Sequence, residues 1–344
     1  MVQWTLKQRW IERTIVGLIV GMVALAFASR SQANDDAFAA ALAPLILPQA
    51  SIRGVDDTWF FLTKELKHLS TGAFWEKPWT EVAANKADPI PSMVEFQELL
   101  AAKGIALLIV PIPAKATIYP EKLVPGFPAG SVGRSEGMVA LLRKKGLKVL
   151  DVESAFLAER EAGQLFCQQD AHFSPRAAEL IAHSVVAELG LTSSGGAEYT
   201  LGSAESLTIA GDQVKGTLLE GQVAAETLSL QAVSYQGQRG VAPDPAASVL
   251  LLGDSHTLVF SDGTDPAMHC TGAGVLDHLA YLIQAPVSRV GAKASGLVQA
   301  RKQLFYDFGQ NKAFWDAKKA VVWMFSTREF TQTTSPYRPI PIEG

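Results

Sequence analysis

The sequence predicts an α/β fold in which helices cover both faces of a parallel β-sheet. Three observations support this prediction. Short apolar runs of strand length recur along the chain, helical patterns lie between them, and 48% of the 344 residues are hydrophobic while 19% are charged. Alternation of strands and helices is typical of sheets with covered faces. The length suits one large domain or two smaller ones.

Five apolar runs are predicted to be buried parallel strands, because strands covered on both faces form nearly continuous apolar segments. They are residues 105–110, 147–152, 248–253, 286–291 and 320–325. The helical patterns between them lie at 92–103, 134–145, 175–189 and 271–284. In sheets of this kind, ligands bind outside the carboxyl ends of the strands.

Residues 196–240 have a different pattern. They are rich in Thr, Ser and Gly, and apolar positions alternate with polar ones, as in TLSLQAVSYQG. A period of two predicts antiparallel strands, so we expect a small β insert here. The Pro-rich segment 333–344 is expected to be an extended tail, which leaves residues 34–332 as the main domain.

The first 33 residues have the features of an export signal. Basic residues precede an uncharged run at 14–28, and the small residues Ser31 and Ala33 follow it. As a helix this run would span roughly 22 Å, less than a hydrocarbon core of about 30 Å. We interpret residues 1–33 as a signal peptide cleaved after Ala33, with an uncleaved inner-membrane anchor as the alternative. Both interpretations predict that the rest of the chain is periplasmic.

Charge and cysteine content exclude some classes of partner. The formal net charge of −4 argues against nucleic acid. No Cys/His cluster has zinc-site spacing, and we expect neither a metal nor a cofactor. Cys167 and Cys270 either pair in an oxidising compartment or remain separate thiols.

A serine follows one predicted strand at its carboxyl end. In the segment LLGDSHT (251–257), the apolar run stops at Gly253 and Ser255 comes two positions later. Gly and Asp are common in turns, so the motif fits an ordinary strand exit as well as an exposed nucleophile. A catalytic role requires a base and an orienting acid elsewhere in the chain.

The segment CQQDAHFSPRAAELIA (167–182) supplies both groups. Ser174 is a favourable N-cap and Pro175 suits the first position of a helix, so Asp170 and His172 lie on the preceding loop. Two positions apart in an extended loop, their side chains can project to the same side. Two solvated loop residues are the alternative.

Taken together, the two motifs predict a catalytic triad. Ser255 is the candidate nucleophile, His172 the base, and Asp170 the acid that orients the imidazole. The Ser255 N–H is a candidate donor to an oxyanion, and a second donor is expected from the loop 291–296. Further candidate oxyanion or substrate-binding residues are His256, Ser295 and Gly296.

These motifs resemble the SGNH-hydrolase-like domain of the alginate O-acetyltransferase family, the AlgX and AlgJ proteins. DAHFS followed by a helix, and then LLLGDSHT, is similar to the Asp-x-His-Trp and Gly-x-Ser motifs of that family. The segments 54–70 and 110–123 also resemble family blocks. The resemblance covers roughly residues 50–332, and Phe173 replaces the usual Trp.

The resemblance implies a flavodoxin-like SGNH-hydrolase fold and a periplasmic O-acetyltransferase. Ser255 would accept an acetyl group and pass it to a hydroxyl of an exopolysaccharide such as alginate or cellulose. A membrane-bound O-acyltransferase would be the partner that supplies acetyl groups. The resemblance adds Lys115, Tyr119 and Arg328 as candidate site residues, although Lys115 and Arg328 could simply pair with carboxylates.

Two other functions remain open. An acetylesterase would use the same triad, with water instead of a sugar attacking the acyl-enzyme. A non-catalytic polysaccharide-binding or scaffold component would have no reason to carry a triad. Its candidate sugar-stacking platform consists of Trp59, Phe74, Trp75 and Trp79.

Overall fold

A computed structural model describes residues 33–46, 48–293, 295–338 and 340–342. The run 14–28, interpreted as a signal or anchor, lies outside the described residues. Among the helices that are described, none has both the length and the apolar character needed to cross a membrane.

The strands are β1 (Ser51–Arg53), β2 (Phe60–Leu62), β3 (Ala106–Ile112), β4 (Tyr199–Ile209), β5 (Glu226–Tyr235), β6 (Gln238–Arg239), β7 (Val249–Gly253), β8 (Ser288–Gly291) and β9 (Ala320–Ser326). The α-helices are α1 (33–42), α2 (Thr63–Leu69), α3 (Trp79–Val82), α4 (Ile90–Ala102), α5 (Lys115–Ile118), α6 (Glu136–Lys144), α7 (Val152–Glu159), α8 (Pro175–Leu189), α9 (Val275–Ile283), α10 (Gln299–Phe308), α11 (Lys312–Ala317) and α12 (Glu329–Gln332).

Four strands form a parallel sheet in the order β3-β9-β7-β8. Strand β9 lies between β3 and β7, and its pairing with β3 runs from Ala106 opposite Ala320 to Ile112 opposite Ser326. Strand β7 also pairs in parallel with β8. Four of the five predicted strands therefore lie in one sheet, and the predicted fold class is confirmed.

The predicted strand at 147–152 is wrong except at one position. Val149 makes a single parallel bridge to Ile109 at the edge of the sheet. Helix α7 then starts directly after Asp151, whose side chain accepts the Ser154 N–H at 3.0 Å. This N-cap stops the extended run before it can form a ladder.

Successive residues of the parallel strands divide the core between two faces of the sheet. In β3, Leu108 and Val110 join a cluster with α8 and α9. Leu107 and Ile109 join a second cluster with α4, α6, α10 and α11. Because side chains alternate across a strand, β3, β7 and β9 each contribute to both clusters, and helices cover both faces as predicted.

Helix α8 has the bounds that its sequence signals predict. The Ser174 hydroxyl accepts the Ala177 N–H at 3.3 Å, and Pro175 occupies the first turn. The helix ends at Gly190, which has a left-handed φ of 62°. The loop before α8 is therefore fixed where it enters the helix.

The predicted β insert is a three-stranded antiparallel sheet in the order β4-β5-β6. The long pairing of β4 with β5 contains a bulge between Leu201 and Ala204. After α12, the described tail has no helix or strand, but Tyr337 and Ile342 pack against the second core cluster.

One buried histidine links the start of the domain to its end. His68 of α2 has its Nδ1 atom 2.8 Å from the Thr331 hydroxyl of α12. Burial lowers the pKa of this imidazole from 6.5 to about 3, and the charge of Arg328 acts in the same direction. Below pH 6.5 the unfolded chain takes up a proton here that the folded chain excludes, so stability is lost as pH falls from 6.5 towards 3.

We predict that His68→Gln weakens the pH dependence of the free energy of unfolding. Between pH 7 and pH 5 this residue should account for a loss of about 2 kcal/mol in the wild type. Urea unfolding at both pH values measures the difference. Thr331→Val is the control, because it removes the hydrogen-bond partner but keeps the titrating ring, and should destabilise about equally at both pH values. Identical pH dependence in His68→Gln and the wild type would contradict this assignment.

Candidate active site

Ser255 lies directly beyond the carboxyl end of β7, at the start of a short 3-10 turn. A Cβ atom on the preceding Gly253 would lie 1.9 Å from the Met324 carbonyl oxygen, so the close approach to β9 requires glycine. The Asp254 carboxylate accepts the Ser326 N–H at 2.9 Å and ties the turn to the end of β9. The serine is thereby held at the edge of the sheet, with 8% of its surface exposed.

The structure brings together the three side chains that the two motifs supply. His172 Nε2 lies 2.7 Å from Ser255 Oγ, and His172 Nδ1 lies 2.5 Å from Asp170 Oδ1. An ionised carboxylate only accepts hydrogen bonds, so Nδ1 carries the proton and Nε2 accepts from the serine hydroxyl. Such an arrangement can remove the hydroxyl proton as the oxygen attacks.

Burial and charge act in opposite directions on this group. Burial raises the pKa of the Asp170 carboxyl, but the charges and hydrogen bonds of His172 and His269 outweigh it and hold that pKa well below its usual range. Burial lowers the pKa of His172, but the Asp170 carboxylate outweighs it and raises that pKa above 6.5. Asp212 and Asp254 raise it further.

Two residues that sequence reasoning missed hold the second oxygen of Asp170. His269 Nε2 and the Asp212 N–H each lie 2.9 Å from Asp170 Oδ2. Asp212 lies in the β4–β5 loop of the insert, and His269 lies between the Ser255 turn and α9. In the sequence, the only signal for His269 is its place in a Gly/Asp-rich segment shortly after Ser255. Nothing in that segment indicates that Asp170 is its partner.

Lys115 supports the Asp170 loop and does not face Ser255. Its buried ammonium donates to the carbonyls of Phe60 at 2.8 Å, Gln168 at 3.2 Å and Asp170 at 2.6 Å. An ammonium group has three N–H donors, and all three are used. The expected substrate contact of Lys115 is therefore wrong.

Tyr119 is also a core residue. Its hydroxyl accepts the Leu165 N–H at 3.1 Å, and the Arg160 guanidinium lies 4.6 Å from the centre of its ring. Its ring packs 4.7 Å from that of Trp59. The expected site role of Tyr119 is corrected, because its only polar atom already holds the backbone before the Asp170 loop.

Three of the four aromatic residues considered as a sugar platform pack together, since the Phe74 ring centre lies 5.1 Å from that of Trp75 and 6.0 Å from that of Trp79. Trp59 and Phe74 are buried in different core clusters, and Trp75 and Trp79 are half-buried against the second cluster. A stacking platform needs exposed ring faces side by side. These rings instead stabilise the two sides of the sheet.

Arg328 and Ser295 lie near the carboxyl ends of β9 and β8 and are engaged by carboxylates. Arg328 donates to Glu65 at 3.0 Å and to the Ser326 hydroxyl at 2.9 Å, so the ion pairing considered for it is present. The Ser295 hydroxyl donates to Glu329.

Gly296 passes close to the serine turn. A Cβ atom there would lie 2.4 Å from the Phe325 side chain and 3.1 Å from the Asp254 amide nitrogen. Within the described part of the chain, the Ser255 N–H has no hydrogen-bond acceptor. A donor suitable for an oxyanion is thus present beside the 291–296 loop.

His256 packs against the triad histidine, but it is an unsuitable oxyanion donor. Its Nδ1 lies 2.8 Å from Asp254 Oδ1, and its ring centre lies 5.0 Å from that of His172. Burial lowers the pKa of His256, which keeps the ring neutral with its proton on Nδ1. Its Nε2 has no partner among the described residues and, lacking a proton, can only accept.

A groove of about 690 Å³ lies beside the ends of β8 and β9. The exposed residues Lys64 and Lys67 of α2 line it, together with Lys293, Arg328 and Glu329. Arg328 is paired with Glu65 and Lys293 with Asp265, so the lining cations without an ion pair among the described residues are Lys64 and Lys67. The side of the groove that α2 forms therefore favours anionic groups.

No disulfide links the two cysteines, since Cys167 and Cys270 are both free thiols. Among the described residues, one group has the geometry to hold a metal ion, with ligand atoms of Asp170, His172 and Asp212 within 4.8 Å of one another. The Asp170 oxygens and both His172 nitrogens are already engaged in hydrogen bonds within the chain.

Comparison with known proteins gives consistent relatives. The family described as "SGNH hydrolase-like domain, acetyltransferase AlgX" matches residues 52–327. The protein named "Probable alginate O-acetylase AlgJ" from Pseudomonas aeruginosa is 28% identical over 134 residues, which are 39% of this chain and 32% of that protein. Its namesake from Pseudomonas syringae pv. tomato is 25% identical over the same shares. The match thus spans about a third of the length of these curated relatives.

Two solved structures share the fold. The O-acetyltransferase domain of Pseudomonas putida AlgJ has a TM-score of 0.60 at 20% identity and covers 82% of this chain and 92% of that one. Pseudomonas aeruginosa AlgX has a TM-score of 0.54 at 18% identity and covers 80% of this chain and 61% of that one.

We predict that Asp170→Asn lowers the pKa of the His172 imidazole, because the neighbouring carboxylate is the main group that raises this pKa against burial. NMR titration of the His172 ring measures the shift. Asp212→Asn is the matched control, since this more distant charge raises the pKa less. A larger decrease in Asp212→Asn than in Asp170→Asn would refute the pairing.

Proposed function

The chain belongs to the family of the SGNH hydrolase-like domain of acetyltransferase AlgX, and on this premise we propose that it is an O-acetyltransferase acting on an exopolysaccharide. The observation that carries the proposal is the continuous contact from Asp170 Oδ1 through His172 to Ser255 Oγ, with distances of 2.5 and 2.7 Å. The names of its relatives, which are called alginate O-acetylases, support acetyl transfer to a polysaccharide.

The proposed reaction has two halves. In the first, Ser255 Oγ attacks the carbonyl carbon of an acetyl donor while His172 Nε2 takes the hydroxyl proton. The Ser255 N–H donates to the oxyanion, and His172 returns the proton to the leaving group. In the second, His172 takes the proton of a sugar hydroxyl, whose oxygen attacks the carbonyl carbon of the acetyl-serine. The bond from that carbon to Ser255 Oγ then breaks, and His172 returns the proton to Oγ.

An acetylesterase would use the same residues, and the difference lies in the second half. Water would then replace the sugar hydroxyl as the group that attacks the acetyl-serine. The groove beside β8 and β9 favours transfer, because it gives a polymer a place to lie at the same edge of the sheet as Ser255. Its exposed Lys64 and Lys67 favour an acidic polymer such as alginate over a neutral one such as cellulose.

The compartment and the acetyl source form part of the proposal. The basic flank, apolar run and small residues of 1–33 support export to the periplasm, with or without cleavage after Ala33. A periplasmic enzyme has no direct access to cytoplasmic acetyl donors. A membrane-bound O-acyltransferase that passes acetyl groups outward is therefore the proposed partner.

We predict that the wild-type protein forms an acetyl-serine at Ser255 when incubated with an aryl acetate. Peptide mass spectrometry should find one added acetyl group on the peptide that contains Ser255. Ser255→Ala should lose acetyl transfer by a factor on the order of 10⁴ or more. Ser184→Ala, a serine on α8 whose hydroxyl donates to the Leu180 carbonyl, is the control and should keep full activity.

The same assay separates transfer from hydrolysis. Adding oligosaccharide should divert acetyl groups from free acetate to the sugar. Acetate release that does not change with added oligosaccharide would favour the esterase, and full activity in Ser255→Ala would exclude Ser255 as the nucleophile.

We predict that the pair of changes Lys64→Glu and Lys67→Glu weakens use of an anionic oligosaccharide. The KM for an oligouronate should rise at least about threefold at low salt and less at high salt, because exposed charges are screened. Acetyl-serine formation from the small donor should be unchanged. Lys144→Glu, an exposed lysine on α6, is the control. An equal rise in KM with Lys144→Glu would show a general effect of net charge, not a groove.

A further inference from the structure

We propose that His269 is a positioning residue that fixes the carboxylate of Asp170 from the side opposite His172. This inference rests on the proposed function of the Ser255 site. His269 donates from Nε2 to Asp170 Oδ2 at 2.9 Å, while His172 donates to Asp170 Oδ1. The carboxylate therefore lies between two imidazoles, one facing the serine and one facing away from it.

The hydrogen bonds of Asp170 give this donor a specific place. The carboxylate is completely buried. Its Oδ1 accepts the backbone N–H of His172 at 3.0 Å and the His172 ring at 2.5 Å. Its Oδ2 accepts the Asp212 N–H and the His269 ring, each at 2.9 Å. The His269 bond supplies the only side-chain N–H on Oδ2 among the described residues, and without it one backbone N–H remains there.

The backbone at His269 is held in a conformation that L-residues rarely adopt. Its φ is 70° and its ψ is −54°. Strain of this kind persists only where surrounding contacts enforce it, and it is concentrated at functional sites. Here it accompanies the delivery of one imidazole to the triad carboxylate, with the Phe260 ring packed 5.5 Å from the His269 ring.

The segment that carries His269 is fastened at both ends independently of the imidazole. The buried Asp277 carboxylate accepts the Ser261 hydroxyl and, at 3.1 Å, the Gly274 N–H. In addition, the Phe260 N–H donates to the Met268 carbonyl at 2.9 Å. Changing the His269 side chain therefore leaves the main anchors of the segment in place.

This geometry explains how a distant imidazole acts on the reaction. When His172 receives the Ser255 proton, Asp170 must stay ionised and must not rotate. A second N–H on Oδ2 fixes the plane of the carboxylate and takes up part of its negative charge. Losing this donor frees the carboxylate to move. More of the negative charge of Asp170 then acts on the His172 imidazole, which binds its proton more tightly.

Other charged or titratable groups surround the same cluster, and the His269 variants keep all of these side chains. They are His172, Asp212, Asp254, His256, Lys115, Cys167 and Glu226.

The test compares two replacements of similar size, neither of them branched at Cβ, in the full chain. His269→Gln keeps an N–H donor that can reach Oδ2, whereas His269→Leu has none. With an aryl acetate donor, His269→Leu should lower kcat/KM for acetyl-serine formation by about 10- to 100-fold. In the pH profile of kcat/KM for this variant, the acidic limb should move to higher pH than in the wild type. His269→Gln should stay within about threefold of the wild type.

A glycine variant covers the case in which His269→Leu does not fold. Glycine adopts a φ of 70° without strain, so His269→Gly relaxes the backbone while it removes the donor. Added imidazole should occupy the vacated space and restore the acylation rate in a saturable way. Failure of imidazole to restore any activity in a folded His269→Gly protein would overturn the proposal.

The remaining outcomes separate this inference from the proposed function. Equal losses in His269→Leu and His269→Gln with an unmoved acidic limb would mean a merely structural role, and His269→Leu within about twofold of the wild type would mean no role. Either result overturns the inference while an inactive Ser255→Ala keeps the proposed function. An active Ser255→Ala would overturn the proposed function itself.

Discussion

The buried carboxylate of Asp170 is the constraint around which the site is built. A charge removed from water costs several kcal/mol unless hydrogen bonds replace the lost solvation. Here the N–H donors come from the loop before α8, from the β insert and from the segment before α9. Two further groups hold the loop itself, since Lys115 donates to its carbonyls and Glu226 accepts its N–H groups at Gln168 and Gln169. The insert is therefore part of the support of the site.

The parallel sheet determines where the serine meets this carboxylate. Strand β7 has neighbours on both sides, so the turn at its carboxyl end is fixed from two directions. Gly253 allows β9 to approach, and Asp254 uses one oxygen for the Ser326 N–H and the other for His256. The same aspartate thus orients the turn before Ser255 and, by accepting the Nδ1 proton, fixes the tautomer of the neighbouring His256 imidazole, which burial keeps neutral. The position of Ser255 therefore depends on how the backbones of β7 and β9 pack. The groups around it are oriented by the buried Asp254 carboxylate.

Charge is distributed unevenly over the molecule. The chain carries a formal net charge of −4, yet the groove beside β8 and β9 has two exposed lysines, Lys64 and Lys67, without an ion pair among the described residues. Net charge sums the whole surface, whereas attraction of a polymer depends on the charges within a Debye length of about 8 to 10 Å. The overall charge argues against nucleic acid as a partner, but it could not reveal a local cationic surface.

The sequence by itself determined the elements that depend on local signals. Apolar runs predicted four strands of the parallel sheet, Ser174 and Pro175 predicted the start of α8, and the two motifs identified the side chains that meet at Ser255. Only the tertiary structure decided which residues support the side chains of the site. His269 is 99 positions from Asp170, and Lys115 is 55 positions from the carbonyl it binds. Such pairs are set by how strands and loops pack, and no spacing along the chain encodes them. The same reason accounts for the errors at Lys115 and Tyr119, because a side chain near a strand end faces the site or the core according to the neighbours that folding brings to it.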